Sequence, residues 1–307
     1  MIEQKQKTLQ FSPISLSDRA AYEACLAESE ARGCEYSFPN LYLWGAQNVA
    51  FVGGCAVLYS RFGDHFVYLY PVGRGVSREI IDAILAHAEK QGIPLRLSGI
   101  LPSERDALER MYPDLFSFSC NVGSYDYVYD INDLADLVGK KFDGKRNHCH
   151  RFEALYPDCE TVEIDEKSID GVRLMAKEWY AQRREADPDG EYDMEERALA
   201  RALDHYRELS LEGLALMQNG RVLAFSIGNR MSVDTVDVNF EKAASDVQGG
   251  YAAINRAFAR HIRAKYPAVR FLNREEDMGI EGLRRAKESY NPHHRVVNYT
   301  AKRKVSL

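Results

Sequence analysis

The pattern of hydrophobic and polar residues along this chain alternates between strand-like and helix-like segments, and the same order of segments occurs twice. Three strand-like runs between residues 48 and 70 precede a helix pattern in which Ile80 and Ile84 share one face. Three more strand-like runs, between residues 213 and 240, precede a helical stretch at residues 249–265. The pattern therefore predicts two successive sheets, each followed by a long helix.

Both halves extend this order in the same way. Each begins with helical segments and ends with a strand, a short helix and a further strand, so the halves share the order of elements rather than residue identity. We predict an α+β fold of two domains, residues 1–124 and 125–307, each a mixed, mostly antiparallel sheet flanked by helices. A strand trio followed by a helix and a further strand is the layout of an N-acyltransferase domain. We expect the second domain to carry the function and the first to be mostly scaffold.

Composition limits the classes of function. The 307 residues include 40 basic and 46 acidic side chains, which give a formal net charge of −6. A general polyanion-binding surface is therefore excluded, and any nucleic-acid contact requires a local basic patch. No apolar run reaches the roughly 20 residues of a transmembrane helix, and we expect a cytoplasmic protein. The six cysteines contain no Cys-x-x-Cys pair and fit reduced thiols, and no metal site is expected.

Charge is concentrated in residues 271–290. Acids come first and bases last, an order that suits a helix beginning near Met278. Acids this close together raise the pKa of at least one of them if they are buried, which suits a general base. The candidate catalytic residues of this stretch are Glu275 and Asp277. The candidates for binding substrate or donor are Asn273, Arg284, Arg285, Lys287 and Tyr290. If exposed, the same charges are those of an ordinary solvated helix.

Two charged residues directly follow the strand run that ends at Phe240. Glu241 is the third catalytic candidate, as the group that takes a proton from an attacking amine. Lys242 is a candidate for holding a carboxylate or phosphate. The doublet is explained equally well as a surface ion pair.

A glycine pair opens the long helix of the second half. Gln248, Gly249 and Gly250 lie where a backbone free of side chains can approach the phosphates of a donor. The same glycines would also permit a simple turn. We treat all three as candidates for donor binding.

Residues 140–151 form a basic segment. A helix here would place Lys141 and Lys145 on one face and turn Arg146 toward another. Such a surface binds phosphates or RNA through salt-sensitive contacts, and these three residues are donor-binding candidates. A solvated face that balances the acids of the chain is the alternative.

Three stretches together identify a family resemblance: the aromatic residues 38–44, the basic residues 139–152, and residues 273–290. With them, nearly the whole chain resembles bacterial uncharacterised proteins grouped with the C-terminal domain of phosphatidylglycerol lysyltransferase. It is more distantly similar to the Fem aminoacyltransferases. The resemblance implies two tandem GNAT-like domains and, for the characterised relatives, aminoacyl-tRNA as the donor. Those lysyltransferases also carry a multi-helix membrane domain that presents the lipid, and no such segment occurs in this sequence.

These observations predict an acyltransferase or aminoacyltransferase. Its donor would be an aminoacyl-tRNA or an acyl-CoA and its acceptor an amine or hydroxyl, with no prosthetic group and with RNA contact through residues 140–151. The sequence leaves open a non-catalytic ligand-binding or sensor protein on the same scaffold, because no catalytic group stands at an unambiguous position.

Overall fold

The computed structural model describes residues 8–62 and 65–304 of the chain. By its contacts the chain divides into two compact units. The first unit comprises Met1–Tyr125 and Val296–Leu307, and the second unit comprises Asp126–Arg295.

The described residues form fourteen strands and ten α-helices. Up to the end of the first unit's N-terminal part, these are β1 Ser12–Pro13, α1 Arg19–Ala27, α2 Phe38–Leu43, β2 Gln47–Val52, β3 Cys55–Phe62, β4 His65–Gly73, α3 Arg78–Lys90, β5 Arg96–Ile100, α4 Pro102–Met111 and β6 Phe116–Ser119. The remaining elements are β7 Asp126–Asp130, α5 Ile131–Asp136, α6 Asp143–Leu155, β8 Glu160–Glu163, α7 Ile169–Ala186, α8 Asp193–Asp204, β9 Glu212–Gln218, β10 Arg221–Arg230, β11 Thr235–Ala243, α9 Gly250–Lys265, β12 Phe271–Asn273, α10 Glu281–Glu288, β13 His294–Val296 and β14 Tyr299–Arg303. None of the helices in residues 8–62 and 65–304 is long and apolar enough to cross a membrane.

The two sheets have the same strand order. The first runs β1-β2-β3-β4-β5-β14-β6, and the second, taken from its other edge, runs β8-β9-β10-β11-β12-β7-β13. In each sheet a trio of antiparallel strands is followed by one parallel pairing, β4 with β5 and β11 with β12. The predicted α+β repeat of two mixed, mostly antiparallel sheets is confirmed.

The sixth strand of each sheet is distant in sequence from its neighbours. The C-terminal strand β14 lies between β5 and β6, and β7 occupies the equivalent place in the second sheet, beside β12. The predicted second domain, residues 125–307, included β14, and for this strand the prediction is wrong. The reason is that long-range strand pairing decides its place, and the local hydrophobic pattern carries no information on the partner.

Each sheet buries its apolar face under the helix that joins its parallel strands. In the first unit Ile81 and Ile84 of α3 share a core with Val57, Tyr68 and Leu97 of the sheet. The equivalent core of the second unit brings Ile254 and Phe258 of α9 against β7, β11 and β12. Helices α5 and α6 also pack on α9, while α7 packs on β10 and β11. This arrangement fixes the position of β11 and of the start of α9.

Candidate functional site

One extra residue in β11 determines where its polar side chains point. Ile227 of β10 is paired with Phe240, whereas the next residue, Gly228, is paired with Val238. Asn239 is therefore an extra residue in the register. A β-bulge of this kind shifts the alternation of side chains along the strand by one residue.

Beyond the bulge, Glu241 and Lys242 lie on opposite faces of the sheet. Glu241 contacts α9, where Asn255 donates a hydrogen bond of 3.1 Å to its Oε2. Lys242 contacts α7, with its Nζ 4.0 Å from the ring centroid of Trp179. The doublet was expected to follow the strand; instead both residues lie inside β11, which continues to Ala243.

Glu241 is at the centre of a polar group that we call the Glu241 cluster: Glu241, Asn255, Arg274, Lys145 and Tyr290. Arg274 donates from Nη2 to Oε1 of Glu241 at 2.8 Å, and the two side chains are only 15% and 9% exposed. The carboxylate is thus oriented by one amide and one guanidinium. Strand β11, helices α9 and α6, and the segments on the two sides of α10 contribute the members of the cluster.

Lys145 enters this cluster from α6. Its ammonium lies 3.8 Å from the ring centroid of Tyr290. Burial, together with the positive charge of Arg274, lowers the pKa of Lys145 below its ordinary value. A half-buried cation beside a second cation is electrostatically unfavourable unless an anion is also present.

Two tyrosines form the apolar wall of the cluster. Tyr129 and Tyr290 meet edge to face with ring centroids 6.4 Å apart, and the guanidinium carbon of Arg274 is 5.7 Å and 4.8 Å from their respective centroids. Burial raises the pKa of both phenols, so both stay protonated at neutral pH. The Tyr129 hydroxyl donates to the backbone carbonyl of Lys287 at 2.8 Å.

Lys287 secures the loop that carries Arg274. Its Nζ donates to the backbone carbonyls of Arg274, Glu275 and Glu276, the latter two at 3.0 and 2.6 Å. Glu275 has a left-handed backbone with φ 56°, which a non-glycine residue adopts only when its surroundings impose it. Lys287 is 8% exposed, and these bonds assign its ammonium to positioning the loop.

Asp277 is a fully buried anchor for the same loop. Its carboxylate accepts hydrogen bonds from the Tyr127 hydroxyl at 2.6 Å, from Nε and Nη2 of Arg284 at 2.8 and 3.1 Å, and from the Gly279 amide at 2.8 Å. The bonds from Arg284 are the main cause that holds the pKa of Asp277 far below its usual range. A carboxylate stabilised this strongly as an anion is a poor acceptor for a proton, which disfavours Asp277 as the base.

Other side chains of the 271–290 stretch differ in exposure. Asn273 is fully buried; it donates to Asp126 at 2.6 Å and accepts from the Glu275 amide at 2.8 Å. Arg285 is 74% exposed and pairs at 3.4 Å with Glu281. The helix expected to begin near Met278 begins at Glu281, because the loop up to Ile280 is fixed by Asp277.

A buried acid that the sequence reading missed lies beside Asn273. Asp237 of β11 is paired in register with Asn273 and accepts a hydrogen bond of 3.1 Å from Asn239. Burial is the main cause that raises its pKa well above the ordinary value, and Glu275 and Asp126 add to this. Asp237 could have been found in the sequence as an acid between Val236 and Val238, in a strand that is otherwise mostly apolar.

Lys242 occupies an aromatic box on the α7 side. Its side chain is 8% exposed and forms an ion pair of 2.7 Å with Glu195 of α8. Trp179 lies beneath its ammonium and donates from Nε1 to the Tyr251 hydroxyl at 3.1 Å. Burial lowers the pKa of Lys242. The structure thus separates Lys242 from the Glu241 cluster.

The glycine pair begins α9 as the sequence indicated. Gly249 has φ 79°, and a Cβ there would lie 2.3 Å from the carbonyl oxygen of His148. A Cβ on Gly250 would lie 3.0 Å from Ala243 and from Val247. Close packing against α6 therefore requires glycine at 249, and Gln248 before it is exposed.

The basic segment does not present one continuous face. Lys141 lies before α6 and pairs with Asp133 at 2.8 Å. Arg146 donates to the carbonyl of Leu137 and to the carboxylate of Asp143. Of the three predicted donor-binding residues in this segment, only Lys145 reaches the Glu241 cluster.

The structure therefore brings together three predicted residues, Glu241, Lys145 and Tyr290, and adds Arg274 and Asn255. Arg274 lies within the charged stretch, but in the sequence nothing distinguishes it from its polar neighbours Asn273 and Glu275. Asn255 had a weak signal as an amide on the apolar side of α9.

Comparisons with known proteins give one family and several similar structures. Residues 26–302 match the family model described as phosphatidylglycerol lysyltransferase, C-terminal, which confirms the resemblance. Among curated proteins, none matches the chain.

The solved structures agree with the family match. A conserved protein of unknown function from Bacteroides thetaiotaomicron VPI-5482 is 35% identical with a TM-score of 0.90, over 97% of this chain and 100% of that one. The structure of L-PGS from Bacillus licheniformis is 18% identical with a TM-score of 0.65, over 94% and 93%. A GNAT-family acetyltransferase from Colwellia psychrerythraea is 10% identical with a TM-score of 0.51, over 96% and 100%, and shares the fold.

Proposed function

This chain belongs to the phosphatidylglycerol lysyltransferase C-terminal family, and on that premise we propose that it is an acyltransferase or aminoacyltransferase. The transferred group comes from a phosphate-containing donor, an aminoacyl-tRNA or an acyl-CoA. The acceptor is an amine or a hydroxyl. The reaction needs no prosthetic group and no covalent enzyme intermediate.

The Glu241 cluster is the observation that supports this proposal. A carboxylate held by Asn255 and Arg274 lies beside the start of α9, on the strand that pairs in parallel with β12. Each oxygen of Glu241 accepts one hydrogen bond, and a carboxylate has about four acceptor positions in total. Glu241 therefore has acceptor positions left for a hydrogen bond from a bound acceptor.

Glu241 acts as the general base in the proposed reaction. The nitrogen or oxygen of the acceptor attacks the carbonyl carbon of the donor, and its proton passes to Glu241. The bond from that carbon to the thiol sulfur of CoA, or to the ribose oxygen of tRNA, then breaks. Glu241 returns the proton to the leaving atom, which restores the carboxylate.

The remaining candidates are assigned to binding and positioning. Gln248, Gly249 and Gly250 present the helix start to donor phosphates. Asn273, Arg284 and Lys287 hold the loop that carries Arg274. Glu275 is the second choice of base, because Asp277 is fully occupied as an anion.

A transfer assay with the wild-type protein tests this function. Mixed charged tRNAs and acyl-CoAs are supplied with amine and hydroxyl acceptors, and mass spectrometry detects the product. Binding of charged tRNA is expected to weaken steeply with salt through counterion release, whereas CoA raises the melting temperature with little salt dependence. The donor that gives product is thereby identified.

The ion pair between Glu241 and Arg274 favours one alternative, a ligand-binding or sensor protein without turnover. A carboxylate that a guanidinium stabilises as an anion is a weaker proton acceptor. A transfer assay without product, together with tight binding of a donor or metabolite, would support this second function.

A further inference from the structure

We infer that Lys145 and Arg274 form an anion subsite against the ring of Tyr290 and that it binds a phosphoryl group. Naming that group as part of the donor rests on the proposed transferase function. The subsite itself rests on the three side chains and on their surroundings.

Lys145 is the first donor of the subsite. Its ammonium makes no hydrogen bond and no ion pair with any described residue, and its nearest assigned contact is the Tyr290 ring at 3.8 Å. A lysine taken partly out of water normally finds an acceptor, because the charge is costly to desolvate. Lys145 instead presents three N–H donors beside an aromatic face.

Two buried lysines of the second unit have the acceptors that the half-buried Lys145 lacks among the described residues. Lys287 donates to three backbone carbonyls, and Lys242 pairs with Glu195 at 2.7 Å. In both cases protein oxygens satisfy the ammonium. The ammonium of Lys145 has no such oxygen from any described residue, so its position can accommodate an acceptor from a bound ligand.

Arg274 is the second donor. Its Nη2 binds Glu241, but its Nη1 is buried and donates to no acceptor among the described residues. An arginine has five N–H donors in a fixed plane, so the orientation set by Glu241 also sets the direction of Nη1. The guanidinium lies 4.8 Å from the ring centroid that Lys145 also contacts.

The charge of the cluster is unbalanced. Lys145 and Arg274 supply two positive charges and Glu241 one negative charge, which leaves a surplus of one cation. A phosphodiester or one phosphate of a pyrophosphate carries one negative charge and matches this surplus. A phosphoryl group has more acceptor oxygens than a carboxylate, so it can accept from Lys145 and Arg274 together and still have oxygens left for further donors.

Calorimetric titration with inorganic pyrophosphate at constant ionic strength tests the subsite, with acetate as the comparison anion. We expect pyrophosphate to bind the wild-type protein and acetate to bind at least about tenfold more weakly. Lys145→Met should lower the pyrophosphate affinity by about tenfold or more, which corresponds to loss of one charge-assisted contact. Lys177→Met, which removes an exposed lysine on α7, is the matched control and should change it less than about twofold.

Two further measurements keep the result interpretable. Lys145→Arg restores a cation and should recover most of the affinity, while the melting temperature reports whether Lys145→Met is folded. Because the pKa of Lys145 is lowered, binding of an anion at alkaline pH should make Lys145 take up a proton. Pyrophosphate also exchanges protons with the buffer, so the measured enthalpy should depend on the buffer more steeply in wild type than in Lys145→Met.

Equal losses in Lys145→Met and Lys177→Met, or unchanged binding in folded Lys145→Met, would overturn the subsite. Pyrophosphate binding with a blank transfer assay would leave the subsite standing and remove the proposed function. Product formation without pyrophosphate binding would support the proposed function and overturn the subsite.

Discussion

At the scale of single residues, Asp277 shows how one side chain gives a charged stretch its shape. Its carboxylate is inaccessible to water and accepts from three residues: Tyr127, Gly279 and Arg284. The loop between β12 and α10 closes around it. The crowded acids of the sequence predicted a raised pKa for at least one of them if they are buried, whereas the pKa of the buried Asp277 is lowered.

Asp277→Asn should destabilise the protein by about 2 kcal/mol or more, because it leaves Arg284 without its anion. Glu281→Gln is the control. That carboxylate is 81% exposed and pairs with Arg285 on the surface, so its loss should cost less than about 0.5 kcal/mol. Urea unfolding of the two variants makes the comparison, and equal costs would contradict the anchoring role.

The same residue predicts a pH dependence. The pKa of Asp277 is depressed in the folded protein, whereas in the unfolded chain it is about 3.9. Its contribution is therefore fully present above about pH 5 and is lost as the pH falls toward the folded value. Wild type should lose stability on acidification more steeply than Asp277→Asn below about pH 5. Parallel acid profiles for the two proteins would be inconsistent with a depressed pKa.

Lys145 and Tyr290 are residues whose candidacy, but not whose contact, could be predicted from the sequence. Both were singled out from charge and position in the sequence. Their contact joins residues 145 positions apart, and no spacing rule reaches across that distance. The candidates could be chosen from the sequence, whereas their grouping around Glu241 and Arg274 required the fold.

At the scale of elements, the strand β11 and helix α9 set the site. Their existence and order were readable from the hydrophobic period, because apolar faces must be buried whatever the fold. The bulge at Asn239 was not readable, since it depends on the register with β10. That single extra residue decides that Glu241, and not Lys242, contacts Asn255.

Gly249→Ala should be about 2 kcal/mol more costly than Gly220→Ala. Both glycines have left-handed backbones, with φ 79° and 76°, so both substitutions carry a similar backbone strain. A methyl group at 220 meets nothing within 4 Å, whereas at 249 it lies 2.3 Å from the His148 carbonyl oxygen of α6. Chemical denaturation measures both, and similar costs would show that α6 does not restrict the start of α9.

At the scale of the whole molecule, the two sheets are each completed by a strand from elsewhere in the chain. The repeated architecture was predictable because both halves show the same order of strand-like and helix-like hydrophobic patterns. The placement of β14 between β5 and β6 was not predictable, because the sequence around Ala301 is compatible with a strand in either sheet. The family resemblance supplied the tandem fold but no strand order.

Ala301→Asp should destabilise the first sheet strongly, by about 3 kcal/mol or more. Ala301 is fully buried opposite Leu97 and Phe118, and an unpaired carboxylate there has no partner. Lys302→Asp, one residue later on the exposed side of the same strand, should cost about 1 kcal/mol or less. Hydrogen exchange of β5 and β6 reports the difference. Unchanged protection in Ala301→Asp would argue against β14 as a structural member of this sheet.

The central claim is that Glu241 is the base of a transferase, and the transfer rate of Glu241→Gln tests it most directly. The amide keeps the size of the side chain and its bond from Arg274 but cannot take a proton. We predict a rate at least about a hundredfold below wild type with donor binding retained, and less than a twofold change for Glu185→Gln, an exposed acid on α7. A folded Glu241→Gln variant that transfers at the wild-type rate would contradict the claim.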